Sequence, residues 1–341
     1  MNFKSDNTSG VSPEILQAIV QANHGFSSSY GADDYSKKLK DKVSEIFACD
    51  LEVYLTSTGT VANGLSLSAL VPNYGAIFCH EKGHINTDEA GGPELFTGSA
   101  KIVPVGGYAA KINLQEIEQH ILTMIALRPH ASKPSAINIS QLTEYGTVYT
   151  LQELEAIGEL AKKYNLAVHM DGARFTNALV SLGCSPADMT WKCGVDILSF
   201  GATKNGALMG EMVVIFNKKY VQDFDYRHKR AGQLMSKTRF FAAQLLEYFN
   251  NDLWLKNARH ANIMATQLEK IIAEHKTLEP VYPVQANELF VKMPAKLVEF
   301  LWNNGAHFYH WEADVYRLVT SYLTSEPDLT NFSDLLKKFE Y

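Results

Sequence analysis

The sequence predicts an α/β protein: a large unit on a mostly parallel sheet, then a smaller C-terminal α+β unit. Three observations carry that expectation. Short apolar runs of strand length alternate with amphipathic, helix-length segments over the first two-thirds of the chain. After about residue 217 long helical stretches dominate. Short strands and helices then mix again from Glu288 onward. A chain of 341 residues has room for a large domain and a smaller one, at roughly 100–200 residues each. The division expected is 1–244 for an N-terminal arm and the large domain, and 245–341 for the small one.

The elements follow in order. Ser12 and Pro13 suit an N-cap and first helical position, with Ile15, Leu16, Ile19 and Val20 on one face. Leu39, Val43, Ile46 and Phe47 repeat at helical spacing. Glu52–Leu55 reads as a strand and Thr60–Val71 as the helix after it, with short buried strands at Ala76–Cys79, Lys101–Val105 and Ser135–Ser140. Thr150 and Glu153 form a capping box for a helix running to Tyr164. The strand Leu166–Met170 follows, then a helix Ala173–Leu182 stopped by Gly183, then strands Val195–Phe200 and Met212–Phe216. Helices are expected over 218–230, 236–250 and 252–275. The last segment holds strands at Glu288–Lys292, Ala306–His310 and Val315–Ser321, with helices at Pro294–Asn304 and Thr330–Phe339.

Composition narrows the function. The apolar share of 46% and charged share of 20% are those of a soluble globular protein. A net charge of −6 argues against a basic nucleic-acid-binding face and favours small-molecule chemistry. No apolar run approaches the ~18 residues of a membrane span, and the opening MNFKSDNTSG lacks the apolar stretch of a secretory leader. Cys49, Cys79, Cys184 and Cys193 form no CxxC pair, so a cytoplasmic chain with free thiols and no metal-ligand cluster is expected.

Ligands of open parallel sheets sit at the carboxyl ends of the strands. Asp171 directly follows one expected strand, and Lys204 lies four residues past the next, in Ser199-Phe200-Gly201-Ala202-Thr203-Lys204. Alone, such a lysine is ordinarily solvated and such an aspartate ordinarily an N-cap. Together, on consecutive strands, they match the needs of pyridoxal phosphate (PLP): an amine for its aldehyde and a carboxylate to keep its pyridine nitrogen protonated. Ser57-Thr58-Gly59-Thr60, between a strand and a helix, offers amides and hydroxyls to a phosphate. It is not a P-loop, and the chain has no GxGxxG, which counts against a nicotinamide enzyme.

Over essentially its whole length the chain resembles the threonine aldolases, PLP enzymes of fold type I related to aspartate aminotransferase. The resemblance rests on Lys4-Ser5-Asp6-Asn7-Thr8, Thr58-Gly59-Thr60-Val61-Ala62-Asn63, and His84 with Glu89-Ala90-Gly91-Gly92. His169-Met170-Asp171-Gly172-Ala173-Arg174-Phe175, the segment from Ser199 to Gly206, and Arg317-Leu318-Val319-Thr320 complete it. It implies a three-layer large domain and retro-aldol cleavage of threonine or allo-threonine, and of related β-hydroxy-amino acids such as phenylserine, to glycine and an aldehyde. Lys204 would carry the cofactor, Asp171 would pair with its pyridine nitrogen, and Thr58, Gly59, Thr60 and Thr203 would hold its phosphate. His84 would stack on the ring. Arg174 would lie near the ring hydroxyl or the substrate carboxylate, which Ser5 and Arg317 would bind.

The pattern departs from the family in two places: Lys4 stands where many members have arginine, and Glu144 falls at or near the place of a loop histidine. His84, Glu144 and a water therefore all stand as candidates for the general base. The resemblance further implies a homo-oligomer, dimer or tetramer, with sites at subunit interfaces, and a role for Arg230 on the partner's phosphate. Transamination, β-elimination and a non-catalytic PLP-binding protein are the alternatives.

Overall fold

Seven strands make the central sheet of the computed structural model, which describes residues 1–339. They are β1 (Glu52–Thr56), β2 (Gly75–His80), β3 (Lys101–Val105), β4 (Lys133–Ser140), β5 (Ala167–Gly172), β6 (Ile197–Gly201) and β7 (Glu211–Ile215). Their spatial order is β1-β7-β6-β5-β4-β2-β3. β7 runs antiparallel to both its neighbours, β1 and β6. The other pairs are parallel.

Every residue of β2, β5, β6 and β7 is buried. Helices cover both faces, which is why these strands read as continuous apolar runs. The period of two still sorts the side chains. Met170, Leu198, Phe200, Met212 and Val214 enter one core, beneath the helices Asp34–Phe47, Leu151–Tyr164 and Arg239–Phe249. Ala136, Ala167, Ile197, Val213 and Ile215 enter the other, beneath the helix Gly59–Leu70.

Local signals placed several elements well. The Thr150–Glu153 capping box forms, and Gly183 ends its helix at φ 63°. Others moved. The expected helix over 218–230 is broken into a turn at Lys218–Tyr220 and a helix Phe224–Arg230, because Asp223 adopts φ 60° between them. The strand expected at Ala306–His310 lies at Tyr309–Glu312, since Ala306 and Phe308 pack inward while His307 pairs with Asn2 and Phe3 instead. Ser12 takes the N-cap position before Pro13, as expected, but its hydroxyl makes no capping bond and accepts from Asn257 instead. The last helix starts earlier, at Glu326, on a second capping box of Ser325 and Asp328. A helix at Leu114–Ala126 was not expected.

A separate antiparallel sheet follows: β8 (Glu279–Pro280), β9 (Glu288–Lys292), β10 (Tyr309–Glu312) and β11 (Val315–Val319), ordered β10-β11-β9-β8. Its core contains Leu268, Leu289, Val291, Leu297, Phe332 and also Phe3 from the N-terminal arm. The helix Leu253–Ala273 serves both cores, with Trp254 in the large one and Met264, Leu268 and Ile272 in the small one. Among the described residues, no helix is long and apolar enough to cross a membrane.

Candidate active site

Five buried polar residues of the sheet collect on one face, under the helix Gly59–Leu70. Asn138 on β4, His169 and Asp171 on β5, Ser199 on β6 and Glu211 on β7 hold positions in step with the inward residues of that face. All five are buried. They lie toward the carboxyl ends of β4, β5 and β6 and at the start of β7, whose reversed direction brings its first residue to the same edge.

Asp171, within the end of β5, is fixed by two donors: Ala173 N at 3.0 Å and Asn63 Nδ2 at 2.8 Å. Asn63 also donates to Glu89 Oε1 at 2.7 Å, and the same oxygen lies 2.8 Å from His84 Nδ1. His84, Glu89 and Asp171 each bring a ligand-type atom within 4.8 Å of the others, the only such group among the described residues. The hydrogen bond with Glu89 raises the His84 pKa above its ordinary value, against burial, which lowers it. Burial in turn pushes the Glu89 carboxyl up. Glu144 meets His84 differently. Its Oε1 accepts the His84 amide at 2.9 Å and the Ser140 hydroxyl at 2.6 Å, and enclosure by protein raises its pKa to about 7.

Beneath Asp171, His169 is wholly buried between Asn138 Oδ1 (2.6 Å) and Ser199 Oγ (2.9 Å). Desolvation drives its pKa down to about 4, so the ring is neutral and acts as a fixed spacer.

Lys204 lies in a single turn, Thr203–Asn205, after β6, and is partly buried. Its charge is felt by Asp6, His84 and Glu211. Thr203 accepts from Gly210 N, and its amide donates to Glu211 Oε1 at 3.4 Å. Across from it Thr58 caps the helix Gly59–Leu70 by accepting from Val61 N. The amides of Gly59 and Thr60 open that helix and have no partner within it.

The arm reaches the site through Asp6. Arg174 donates to it twice, from Nε at 2.7 Å and Nη2 at 3.0 Å, and Asn287 donates to it at 3.1 Å. Burial pushes the Asp6 carboxyl up, but Arg174 overrides that and holds it below its ordinary range. Arg174 Nη2 also lies 3.3 Å from Glu288 Oε1, and Arg317 Nη1 lies 3.8 Å from the same oxygen. The Arg317 guanidinium stands over Trp311 (5.1 Å) and Tyr309 (5.7 Å), and its buried Nε has no partner. Ser5 caps its own turn by accepting from Asn7 N, next to Asp6. Arg230 stands apart: it is exposed at the end of the helix Phe224–Arg230 and makes no hydrogen bond or ion pair with the described residues.

The fold therefore gathers Lys204, Asp171, His84, Glu144, Thr58, Gly59, Thr60 and Thr203 at one sheet edge, and brings Ser5, Arg174 and Arg317 to it from the arm and β11. Sequence reasoning gave no role to Asn63, Glu89, Asp6, His169, Glu211 or Glu288. Four of these lie inside motifs already noted. What was missing was their partners, up to 281 residues away.

The mostly parallel seven-stranded sheet is that of the fold type I enzymes, for which PLP is the implied cofactor. An aspartate aminotransferase from Thermotoga maritima, at 15% identity, superposes with a TM-score of 0.70 over 99% of this chain and 91% of its own. The family model for beta-eliminating lyases matches residues 2–296. A low specificity L-threonine aldolase from a Pseudomonas species is 42% identical over 307 residues, 90% of this chain and 88% of that protein. Its counterpart in Pseudomonas aeruginosa is 39% identical over 93% of this chain and 94% of that one. A threonine aldolase structure from Leishmania major is 28% identical and superposes with a TM-score of 0.93, covering 98% of each chain. The chain belongs to the beta-eliminating lyase family and, within it, to the threonine aldolases.

Proposed function

We propose that this chain is a PLP-dependent aldolase that cleaves L-threonine and L-allo-threonine, and other β-hydroxy-α-amino acids such as phenylserine, to glycine and an aldehyde. The observation that supports it best is the linked set Asp171–Asn63–Glu89–His84 beside Lys204, which pairs a cofactor anchor with a base.

The side chains fit PLP. An amine, a buried carboxylate and a helix N-terminus with two open amides meet at one edge, and Asn63 Oδ1 and Glu89 Oε2 are buried there without partners. Bound PLP supplies an electron sink as the Cα–Cβ bond breaks. Lys204 would hold it through its ε-amine, and Asp171, oriented by Asn63 and the Ala173 amide, would pair with its pyridine nitrogen. Gly59, Thr60, Thr58 and Thr203 would take the phosphate, aided by the helix dipole.

Arg317, with Ser5 and the remaining Nη1 of Arg174, receives the substrate carboxylate; a fixed guanidinium fork orients it. Its unpartnered Nε is a donor waiting for an acceptor. His84 Nδ1 holds its proton toward Glu89, which leaves Nε2 to accept the β-hydroxyl proton. Glu144 fixes the His84 backbone; its carboxyl, raised to about 7, is a second proton acceptor within the same loop.

Purified protein should show a PLP absorbance band and release acetaldehyde and glycine from threonine. Lys204→Ala should lose the borohydride-reducible link. If no β-hydroxy-amino acid in a panel of threonine, allo-threonine and phenylserine gives an aldehyde, the aldolase reading fails; turnover with a keto acid instead would support transamination.

The assembly we propose is a homo-oligomer, dimer or tetramer, in the cytoplasm. Exposed Leu16, Val20, Phe26, Tyr30, Leu208 and Met209 support it, since a monomer would leave them in water. Arg230 would then reach the partner's phosphate; mixing singly inactive Lys204 and Arg230 variants should restore activity, and no recovery removes that role. The division near residue 245 is part of the same reading, the small unit carrying Arg317.

A further inference from the structure

A carboxyl group stands inside the phosphate cradle. Glu211 opens β7, opposite Thr56 at the end of β1 and Gly201 at the end of β6. Its side chain is buried, and Oε1 accepts the Thr203 amide at 3.4 Å. Oε2 lies 3.9 Å from where a Cβ on Gly59 would stand and 3.0 Å from one on Gly201. Beside it the Thr56 hydroxyl is buried without a partner. Gly59 and Thr203 are the groups assigned to the phosphate, so Glu211 reaches the same space.

An ionised carboxylate there would oppose a phosphate dianion at close range, and two such anions do not stay charged together. We propose that Glu211 is a proton-bearing member of the cradle: protonated, it donates a hydrogen bond to the phosphate, and ionised, it opposes it, so cofactor retention is coupled to one proton. The proposal rests on the PLP reading above.

The surroundings agree. Burial pushes the Glu211 carboxyl up to about 7, ahead of the Thr203 hydrogen bonds and the Lys204 charge, which pull it down. The other groups facing it are Asp171 from β5, which raises it further, and Tyr248 from the helix Arg239–Phe249. The helix Gly59–Leu70 contributes no charged side chain. A bound phosphate raises the carboxyl again, so the protonated form is the one that binds. Affinity is then complete below pH ~7 and falls as the pH rises, by about fiftyfold between pH 7 and pH 9 for one linked proton. The phosphate's own second ionisation, near pH 6, is finished by then.

The test compares PLP dissociation constants of the full-length enzyme and Glu211→Gln, by cofactor absorbance from pH 6.5 to 9. The proposal expects a steep rise for the wild type. For E211Q, whose amide donates at every pH, it expects wild-type affinity at pH 6.5 and little further change. Equal slopes in the two proteins overturn it. Should E211Q not fold, the wild-type chain stripped of PLP is titrated with inorganic sulfate, a dianion with no proton of its own in this range. Sulfate affinity should fall above pH 7, and an affinity independent of pH overturns the proposal. A wild type that binds no PLP at any pH, with no reducible link at Lys204, fails the cofactor reading itself; binding with matched slopes fails only the role of Glu211.

Discussion

Replacing Glu89 by glutamine removes the charge facing His84 while keeping an oxygen acceptor of the same size. Glu89 Oε1 lies 2.8 Å from His84 Nδ1 and also takes the Asn63 amide, so the geometry survives the change. A hydrogen bond to a charged group contributes about 1.5–3 kcal/mol and a neutral one about 1 kcal/mol. The His84 side chain is 41% exposed, so water screens part of that difference, and about 1 kcal/mol remains. That is about fivefold in rate. The bond to Glu89 is the first cause of the raised His84 pKa, so its loss moves the imidazole to lower values and weakens it as a base. The sign follows: neutral His84 is the working form, activity falls as the pH drops through its pKa, and the variant's acidic limb moves to lower pH. The assay is kcat and kcat/KM for threonine from pH 5.5 to 9, with acetaldehyde followed by a coupled reductase. We expect about fivefold lower plateau kcat, a displaced acidic limb, an unchanged PLP spectrum and an unchanged Tm. An acidic limb that does not move would falsify the assignment of His84 as the base held by Glu89.

Three further outcomes are expected. Asp6→Asn breaks a buried pair with Arg174 and should cost about 3 kcal/mol in urea unfolding; because Asp6 is held below its ordinary range, the pair's stabilisation is complete above that range and is lost as the pH falls through it, so the variant should show a flatter acid-unfolding curve. Arg317→Gln should raise KM for threonine by roughly thirtyfold, the loss of about 2 kcal/mol from a charge-assisted bond, with a smaller change in kcat; an unchanged KM would remove Arg317 from the carboxylate site. Gly158→Ala would drive a Cβ into the Cys193 carbonyl oxygen where the helix Leu151–Tyr164 crosses the 191–194 turn, and should cost about 2 kcal/mol, read as a lower Tm without a change in kcat.

The chain's local chemistry was enough to mark most of its strands and its capping box, and to single out Asp171 and Lys204 as candidates. Asp171 ends one apolar run and Lys204 follows the next, and the two strands are parallel neighbours, so both residues lie toward the same sheet edge. Those signals are short-range, so they survive without knowledge of the fold. The partners are not short-range. Arg174 is one turn from Asp171 in sequence, yet its charge is answered by Asp6, 168 residues away, and by Glu288. His84 and Glu144 both read as bases; only the packed loops show that Glu89 holds the His84 ring while Glu144 holds its backbone.

Glu211 shows the limit most plainly. By sequence it is a polar residue at the start of an apolar run, and in a parallel strand it would lie at the edge away from the site. β7 instead enters antiparallel between β1 and β6, which turns its first residue to the edge where those two strands end. Strand direction is set by the connection and the neighbours a strand finds, here the short 202–210 link that leaves no room for a crossover helix, and not by the residues of the strand itself. The apolar run Met212–Phe216 therefore marked a strand beginning beside Glu211, and the antiparallel pairing of β7 decided that Glu211 lies at the edge where β1 and β6 end.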